Sequence, residues 1–156
     1  MSERAIQDLY PDDVAHCYGC GRLNEHGHRI KSYWRDGVGV LRFTPEPHQL
    51  SMPGFAYGGL IASLVDCHAI GTAAAEAAER AGTPFEPGAM PRYVTGSLRV
   101  DFKKPTPIGA ELELLARVRA AGERKSIVDV EVHVGETVTA TGEVVAVRMP
   151  DTMRRV

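Results

Sequence analysis

Two glycines and one carboxylate are the residues of this chain best placed to do chemistry together. Gly58 and Gly59 open a long apolar run, and Asp66 lies seven residues beyond Gly59. The run is too long for a strand and rich in Ala and Leu, so it predicts a helix over about 58–80. At about 100° per residue, a step of seven returns Asp66 to the side of Gly59, with Ser63 between them. The free N–H groups of the first turn and the carboxylate therefore share one side of the helix.

This pairing of groups is typical of acyl transfer. N–H groups at a helix start can polarise a carbonyl oxygen, and glycine lets that oxygen come close, which is worth about a few kcal/mol. Gly59 is the predicted donor. A carboxylate in an apolar setting is costly unless it is paired or used. Asp66 can activate a water molecule as general base or attack directly as nucleophile, and the sequence leaves both routes open.

The amino-acid composition indicates which binding partners and which cellular compartment to expect for this protein. The 156 residues carry a net charge of −2, which gives no electrostatic case for nucleic acid or a membrane surface as a general partner. Three cysteines without a secretory leader do not form a disulfide framework, and a reducing cytoplasm is the expected location. The apolar run carries Asp66, His68 and Glu76, so it is interpreted as a core helix and not as a membrane span.

The elements around this helix are strands. An Asp36-Gly37 pair separates the first two alternating runs and predicts a hairpin, and Gly82 with Pro84 predicts the end of the helix. About six antiparallel strands and one central helix make an α+β layout in a single domain over 1–156. The predicted strands are 29–35, 38–44, 93–103, 110–121, 124–134 and 137–148. The domain is divided into a lead-in over 1–28, a core over 29–149 and a tail over 150–156.

Four segments resemble the PaaI-type hotdog-fold thioesterases, and together they cover most of the chain, from about Cys17 to Met149. The segment 57–66, Tyr-Gly-Gly-Leu-Ile-Ala-Ser-Leu-Val-Asp, is similar to the family's His-Gly-Gly-x(6)-Asp/Glu signature. The other three segments are 17–27, 94–102 and 104–109. The resemblance implies a curved sheet wrapped around the helix and subunits that pair edge to edge, as a dimer or tetramer. It also implies acyl-CoA bound between subunits, with no cofactor or metal.

The resemblance also implies roles for residues outside the helix. Thr95 falls where the family often places a hydroxyl that positions the water or the carboxylate, and Ser97, of the same side-chain parity, is the fallback. In the family the paired subunit commonly completes the site, so Asp66 and Thr95 are candidates to come from different chains. If CoA is the carrier, cations at the cleft rim bind its phosphates. Arg92, Lys103 and Lys104 are the candidates.

One position departs from the family pattern. Tyr57 replaces the histidine before the glycines, so an imidazole is absent there, although a tyrosine hydroxyl can still donate a hydrogen bond. The Asn or Gln that some relatives place ahead of the motif has no clear counterpart in this sequence. Gln49 and Ser51 are the nearest polar candidates.

Each signal also has a purely structural explanation. Gly58 and Gly59 can serve close packing, and Asp66 can be hydrogen-bonded to a neighbouring strand. His68 lies about 200° around the helix from Asp66, so it is interpreted as a core or dimer-interface histidine. Its neighbour Cys67 is expected to be a small buried hydrophobe. Thr95 is also simply a good strand former.

Cys17-x-x-Cys20, with His16, His26 and His28 nearby, invites a zinc interpretation. A second cysteine pair is absent, however, and His26-x-His28 is more closely spaced than the usual ligand pair. The family resemblance favours a packed turn, so no metal is expected. A redox role is weaker still, because no helix begins at the motif to depress a thiol pKa.

The sequence thus predicts a homo-oligomeric hydrolase of acyl-CoA thioesters, with Asp66, Gly59 and Thr95 as its catalytic residues. Tyr57, Gly58, Ser63 and Ser97 are expected to contact the substrate. The alternative is an acyl-CoA-binding or sensing protein that has lost turnover. A third possibility, a hotdog hydratase acting on enoyl-CoA, is disfavoured because no Asp and His have that family's spacing.

Overall fold

A computed structural model describes residues 4–153 of the chain. It contains one long helix and six strands, together with three short 3₁₀ turns at Ile6–Leu9, Asp12–Val14 and Asp151–Met153. The strands and the helix are β1 (Tyr33–Arg35), β2 (Val38–Phe43), α1 (Gly58–Ala81), β3 (Tyr93–Phe102), β4 (Leu112–Ala121), β5 (Lys125–Val134) and β6 (Thr137–Arg148).

The six strands form one antiparallel sheet in the order β1-β2-β4-β5-β6-β3. Helix α1 contacts all six strands, so the sheet wraps around it. The central strands alternate, and their inward side chains and most of the helix make up the core. These inward residues include Leu112, Leu114, Ala116, Val128, Val130, Val132, Ala140, Val144 and Ala146. The predicted α+β hotdog architecture is confirmed.

Helix α1 is long and apolar enough to pass for a membrane span by length and composition. In the structure 72% of its apolar window is buried inside the protein, which is the core position that the sequence predicts. The helix ends as expected, because Gly82 adopts the left-handed conformation with φ 69° and its N–H bonds back to Ala78 and Glu79.

The first hairpin is confirmed, but its first strand is shorter than predicted. Asp36 and Gly37 both have positive φ, 50° and 81°, as a tight two-residue hairpin turn requires. Strand β1 begins only at Tyr33, because the preceding backbone pairs with the lead-in instead of the sheet. The N–H of Ile30 donates to Gly19 O, and Ser32 O accepts from the N–H of Ile6. The lead-in is therefore attached to the domain by backbone hydrogen bonds.

The two edges of the sheet differ. Strand β1 is only three residues long, whereas β3 is ten residues long and pairs only with β6 among the described residues. A long free edge is a template for pairing with another strand. On the helix side of β3, Leu98 and Phe102 are 41% and 57% exposed.

Candidate active site

The start of helix α1 carries the first part of the site. The Tyr57 side chain makes no capping hydrogen bond, and the N–H groups of Gly58 and Gly59 have no carbonyl four residues earlier within the helix. Instead, the Tyr57 ring lies over Gly59, where an added Cβ would approach Tyr57 Cε2 to 2.4 Å. A side chain at position 59 would therefore force the exposed Tyr57 ring to move. The Ser63 hydroxyl donates to Gly59 O at 2.9 Å, one turn along the same face.

Asp66 and Thr95 form the second part. Asp66 is half-buried on the same face of α1, and the Thr95 hydroxyl donates to Asp66 Oδ1 at 2.5 Å. The two residues meet within one chain, although the family resemblance had made different chains a candidate arrangement. Strand β3 therefore holds the carboxylate of its own subunit.

The environment of Asp66 raises the pKa of its carboxyl. Burial is the main cause, and the nearby Cys17 adds to it, whereas the hydrogen bond from Thr95 lowers the pKa. Burial disfavours the charged form, and a hydrogen bond to the carboxylate favours it. A carboxylate with a raised pKa is a better proton acceptor near neutral pH than an ordinary surface aspartate.

A β-bulge in β3 contradicts the shared parity predicted for Thr95 and Ser97. Thr95 lies opposite Ala146, but Ser97 lies opposite Val145, so Gly96 is the extra residue. Residues directly opposite each other in an antiparallel pair share a face, and successive residues of β6 face opposite ways. Thr95 is therefore on the helix side of the sheet, and Ser97 is on the outer side. The parity argument that made Ser97 the fallback is wrong.

A pocket of about 630 Å³ opens beside the helix start. Tyr57, Gly59 and Ser63 line it, which brings three of the predicted site residues to one cavity. Gln49 also lines it and holds its amide nitrogen 3.2 Å from His28 Nδ1, whereas Ser51 does not line it. The remaining lining residues are Tyr18, His26, Gly27, His28, Arg29, Phe43, Thr44, Glu46, His48 and Leu60.

A sequence model of the thioesterase superfamily matches residues 53–141, which span α1, β3, β4, β5 and part of β6. The chain belongs to the thioesterase superfamily. The match includes the Gly59 helix start, Asp66 and Thr95. The resemblance stated from the sequence is thereby confirmed.

Solved structures of other proteins show the same fold. A thioesterase superfamily protein from Shewanella loihica PV-4 is 41% identical, with a TM-score of 0.64, over 81% of this chain and 96% of that one. The PaaI protein of the Escherichia coli phenylacetic acid degradation operon is 20% identical, with a TM-score of 0.64, over 78% and 80%. The Streptococcus mutans UA159 protein smu.793, solved bound to acetyl CoA, is 18% identical, with a TM-score of 0.62, over 77% and 88%. A comparison with curated proteins found no match.

The three basic candidates for CoA phosphates lie in two places. Lys103 and Lys104 directly follow β3 and are exposed at a second, apolar recess that Gly58 and Phe102 also line. Arg92 is half-buried instead, with its guanidinium stacked 4.1 Å from the centre of the Tyr10 ring. The two lysines therefore line the same recess as Gly58 of the helix start, whereas Arg92 lies against Tyr10 and does not line that recess.

His68 faces away from this site, as its position on the helix predicts. It is fully buried, with Nδ1 2.8 Å from the Ser32 hydroxyl and Nε2 3.0 Å from Gly39 O. Gln7 extends the network, because its Oε1 accepts from the Ser32 N–H at 2.7 Å. The sequence did not single out Gln7 or Ser32. Gln7 in the lead-in and Ser32 in the first predicted strand are isolated polar residues, and no periodic signal marks them as buried.

The three cysteines meet beside Asp66, which the sequence also failed to predict. The Sγ atoms of Cys17, Cys20 and Cys67 all lie within 4.8 Å of one another. Cys67 is buried, as expected, but it is not merely a small hydrophobe, because its sulfur lies 3.9 Å from that of Cys17. Cys17 and Cys67 are fifty positions apart along the chain, and the tertiary fold brings their sulfur atoms together.

Proposed function

We propose that this member of the thioesterase superfamily hydrolyses acyl-CoA thioesters. The observation that carries the proposal is the common face of α1, where the Gly59 N–H and the Asp66 carboxylate lie with Thr95 against the acid. The S. mutans protein with the same fold was solved with acetyl CoA, which supports a CoA thioester as ligand here.

The proposed reaction uses the two ends of this face differently. The Gly59 N–H stabilises the oxyanion that forms as the thioester carbonyl is attacked. Asp66 takes a proton from the attacking water, or attacks the carbonyl itself to give an anhydride that water then opens. The C–S bond breaks, the CoA thiolate leaves and is protonated, and the acyl group becomes a carboxylic acid. Thr95 holds the Asp66 carboxylate in position.

Subunit pairing through β3 is part of the proposal. Strand β3 offers a long free edge, and Leu98 and Phe102 stay exposed on its helix side. A second copy paired along this edge would cover both side chains and close the open side of the Asp66 face. We propose a cytoplasmic homo-oligomer, dimer or tetramer, with acyl-CoA between subunits and Lys103 and Lys104 available to its phosphates.

A non-hydrolytic acyl-CoA-binding protein is the second candidate, and one observation favours it. The Tyr57 ring covers Gly59, the proposed oxyanion donor, at the position where relatives carry histidine. If that ring keeps this position, it competes with a thioester for the space beside Gly59. The protein would then keep its pocket and lose turnover.

Release of free thiol from a panel of acyl-CoAs tests the proposal against this alternative. The panel spans short, branched, long and aromatic acyl groups, and each thioester is also incubated without protein. We expect protein-dependent thiol release from at least one class. Binding of acyl-CoA without thiol release from any of them would replace the hydrolase proposal by the binding protein.

A further inference from the structure

The cysteine cluster is a candidate metal site. Three sulfur ligands come from two parts of the chain, with Cys17 and Cys20 in the lead-in and Cys67 on α1. Tetrahedral Zn²⁺ with Zn–S bonds of about 2.3 Å requires sulfur atoms about 3.8 Å apart. The pair Cys17–Cys67 is at 3.9 Å, and no pair exceeds 4.8 Å. Binding would therefore require movements of less than about 1 Å.

The lead-in turn is built around these sulfur atoms. A Cβ at Gly19 would lie 2.4 Å from Cys67 Sγ, so only glycine allows the turn to pass this close to the helix thiol. At Gly21 a Cβ would lie 2.4 Å from the backbone N of Cys17, and the Gly21 N–H donates to Cys17 O at 2.7 Å. Both glycines in Cys-x-Gly-Cys-Gly are thus required by the tight turn that presents the thiols.

Cys17 is the exposed member of the three, whereas Cys20 and Cys67 are buried. Cys17 therefore gives an ion access to the cluster from solvent.

Two buried polar groups beside the cluster lack partners among residues 4–153. The Tyr10 hydroxyl and Arg92 Nε are both buried without a hydrogen bond there. Tyr10 is 2% exposed and interacts electrostatically with all three cysteines, while Arg92 interacts with Cys20. Three thiolates and one divalent ion would leave a net charge of −1, which the Arg92 guanidinium offsets. In metal sites, neighbouring groups commonly hydrogen-bond the ligand atoms and hold them in place, and these two unpartnered groups are candidates for that role.

We propose that Cys17, Cys20 and Cys67 form a three-thiolate site for a thiophilic divalent metal ion such as Zn²⁺, with one coordination position open to another ligand. The ion fastens the N-terminal lead-in to helix α1, one residue from Asp66. The sequence had led us to expect no metal, because it showed no second cysteine pair, its histidines were too closely spaced, and the family resemblance favoured a packed turn. The third ligand is visible only in the fold. This proposal does not depend on the hydrolase activity.

Metal titration of the full chain tests the site. The reduced protein, stripped with a chelator, is titrated with Zn²⁺ against a chromophoric chelator and separately with Co²⁺. We expect one Zn²⁺ per chain and an intense sulfur-to-Co²⁺ charge-transfer band. Protection of all three cysteines from alkylation on adding Zn²⁺ is a second readout, and it counts the thiols directly by mass. No stoichiometric binding, or a Cys17–Cys20 disulfide as the only product, overturns the proposal.

Variants then identify the ligands. Cys67→Ala should weaken Zn²⁺ binding by more than about 100-fold, because even groups outside the ligand set are commonly worth about 10- to 100-fold. Cys17→Ser should have the same effect. Because Cys17 is exposed, this variant separates loss of a ligand from the misfolding that a change at the buried Cys67 could cause. His26→Ala is the matched control and should leave the affinity within about twofold. Unchanged affinity in Cys67→Ala, or loss in His26→Ala, would overturn the three-thiolate site in favour of a cysteine–histidine one.

Discussion

Asp66 and His68 lie two residues apart on one helix, yet they occupy opposite environments. Asp66 is on the half-exposed face with Gly59 and Ser63, and it accepts a hydrogen bond from Thr95. His68 is fully buried and uses both ring nitrogens within the protein. The first face leaves groups available to a ligand, whereas on the second both nitrogens of His68 are hydrogen-bonded within the protein.

The difference between the two environments decides which polar residue is available for chemistry. Burial raises the pKa of Asp66, but the carboxylate remains open to one side and keeps a hydroxyl partner. Burial lowers the pKa of His68 to about 4, so its ring is neutral in the folded protein near pH 7. The neutral ring donates from Nε2 to Gly39 O and accepts at Nδ1 from Ser32. We therefore infer a functional role for Asp66 and a structural one for His68.

The largest expected effect follows from removing the acid. Asp66→Asn preserves the shape and the contact with Thr95, but it removes the base, so kcat/KM for the best acyl-CoA should fall by about 10²- to 10⁴-fold. Steady-state kinetics and a thermal melt measure the effect. The melting temperature should change little, because Asp66 is only half-buried.

The matched control is His68→Gln on the opposite face. This variant should lower the melting temperature while leaving turnover per folded molecule within a few-fold. If Asp66→Asn retained near-normal turnover, or if His68→Gln lost it without losing stability, the assignment of the two faces would be reversed.

The next effect is a pH dependence of stability that belongs to His68. Its pKa is about 4 folded, against an ordinary value of 6.5, so between these values the unfolded chain binds a proton that the folded chain does not. Stability is therefore retained above pH 6.5 and lost as the pH falls towards 4. The 2.5-unit difference corresponds to about 3 kcal/mol. Denaturant unfolding across this range, with EDTA present, measures the loss.

His68→Gln isolates this contribution from other titrating groups. The variant lacks the imidazole, so its stability should fall by about 3 kcal/mol less than that of the wild-type protein between pH 7 and pH 4. Parallel pH profiles for the two proteins would mean that His68 has the same pKa in the folded and the unfolded protein. Its description as a sealed core residue would then be wrong.

The local sequence predicts the functional face better than the structural one. The seven-residue step from Gly59 to Asp66 follows from helix periodicity alone, and the structure keeps Ser63 between them. The helix, its Gly82 end and the Asp36-Gly37 hairpin also follow from local rules. Each of these features depends on neighbours within one turn or two of the chain.

Features that depend on distant segments could not be predicted in this way. The Gln7–Ser32–His68 network joins three separate segments, and Cys67 meets Cys17 across fifty residues of chain. The bulge at Gly96 is a further case, because one extra residue reverses which side of the sheet every later side chain of β3 faces. Alternation alone gives no sign of it.

That bulge supplies the smallest and most selective prediction. Thr95 bonds Asp66 on the helix side, and its hydrogen bond lowers the pKa of the acid. Thr95→Val removes that bond at nearly constant volume, so kcat/KM should fall by about tenfold, the equivalent of about 1.4 kcal/mol. The acid limb of the pH–rate profile should also move to higher pH, because a base with a higher pKa is protonated earlier as the pH falls. Rates measured at several pH values test both effects.

Ser97→Ala is the matched control two residues further along the same strand. Ser97 faces the outer side of the sheet, so its loss should change neither the rate by more than about twofold nor the position of the acid limb. A shift in Ser97→Ala equal to that in Thr95→Val would mean that both hydroxyls reach the acid. Regular alternation, without the bulge, would then describe β3. A lower rate in Thr95→Val with an unmoved acid limb would instead mean that Thr95 positions substrate and does not act through the Asp66 carboxylate.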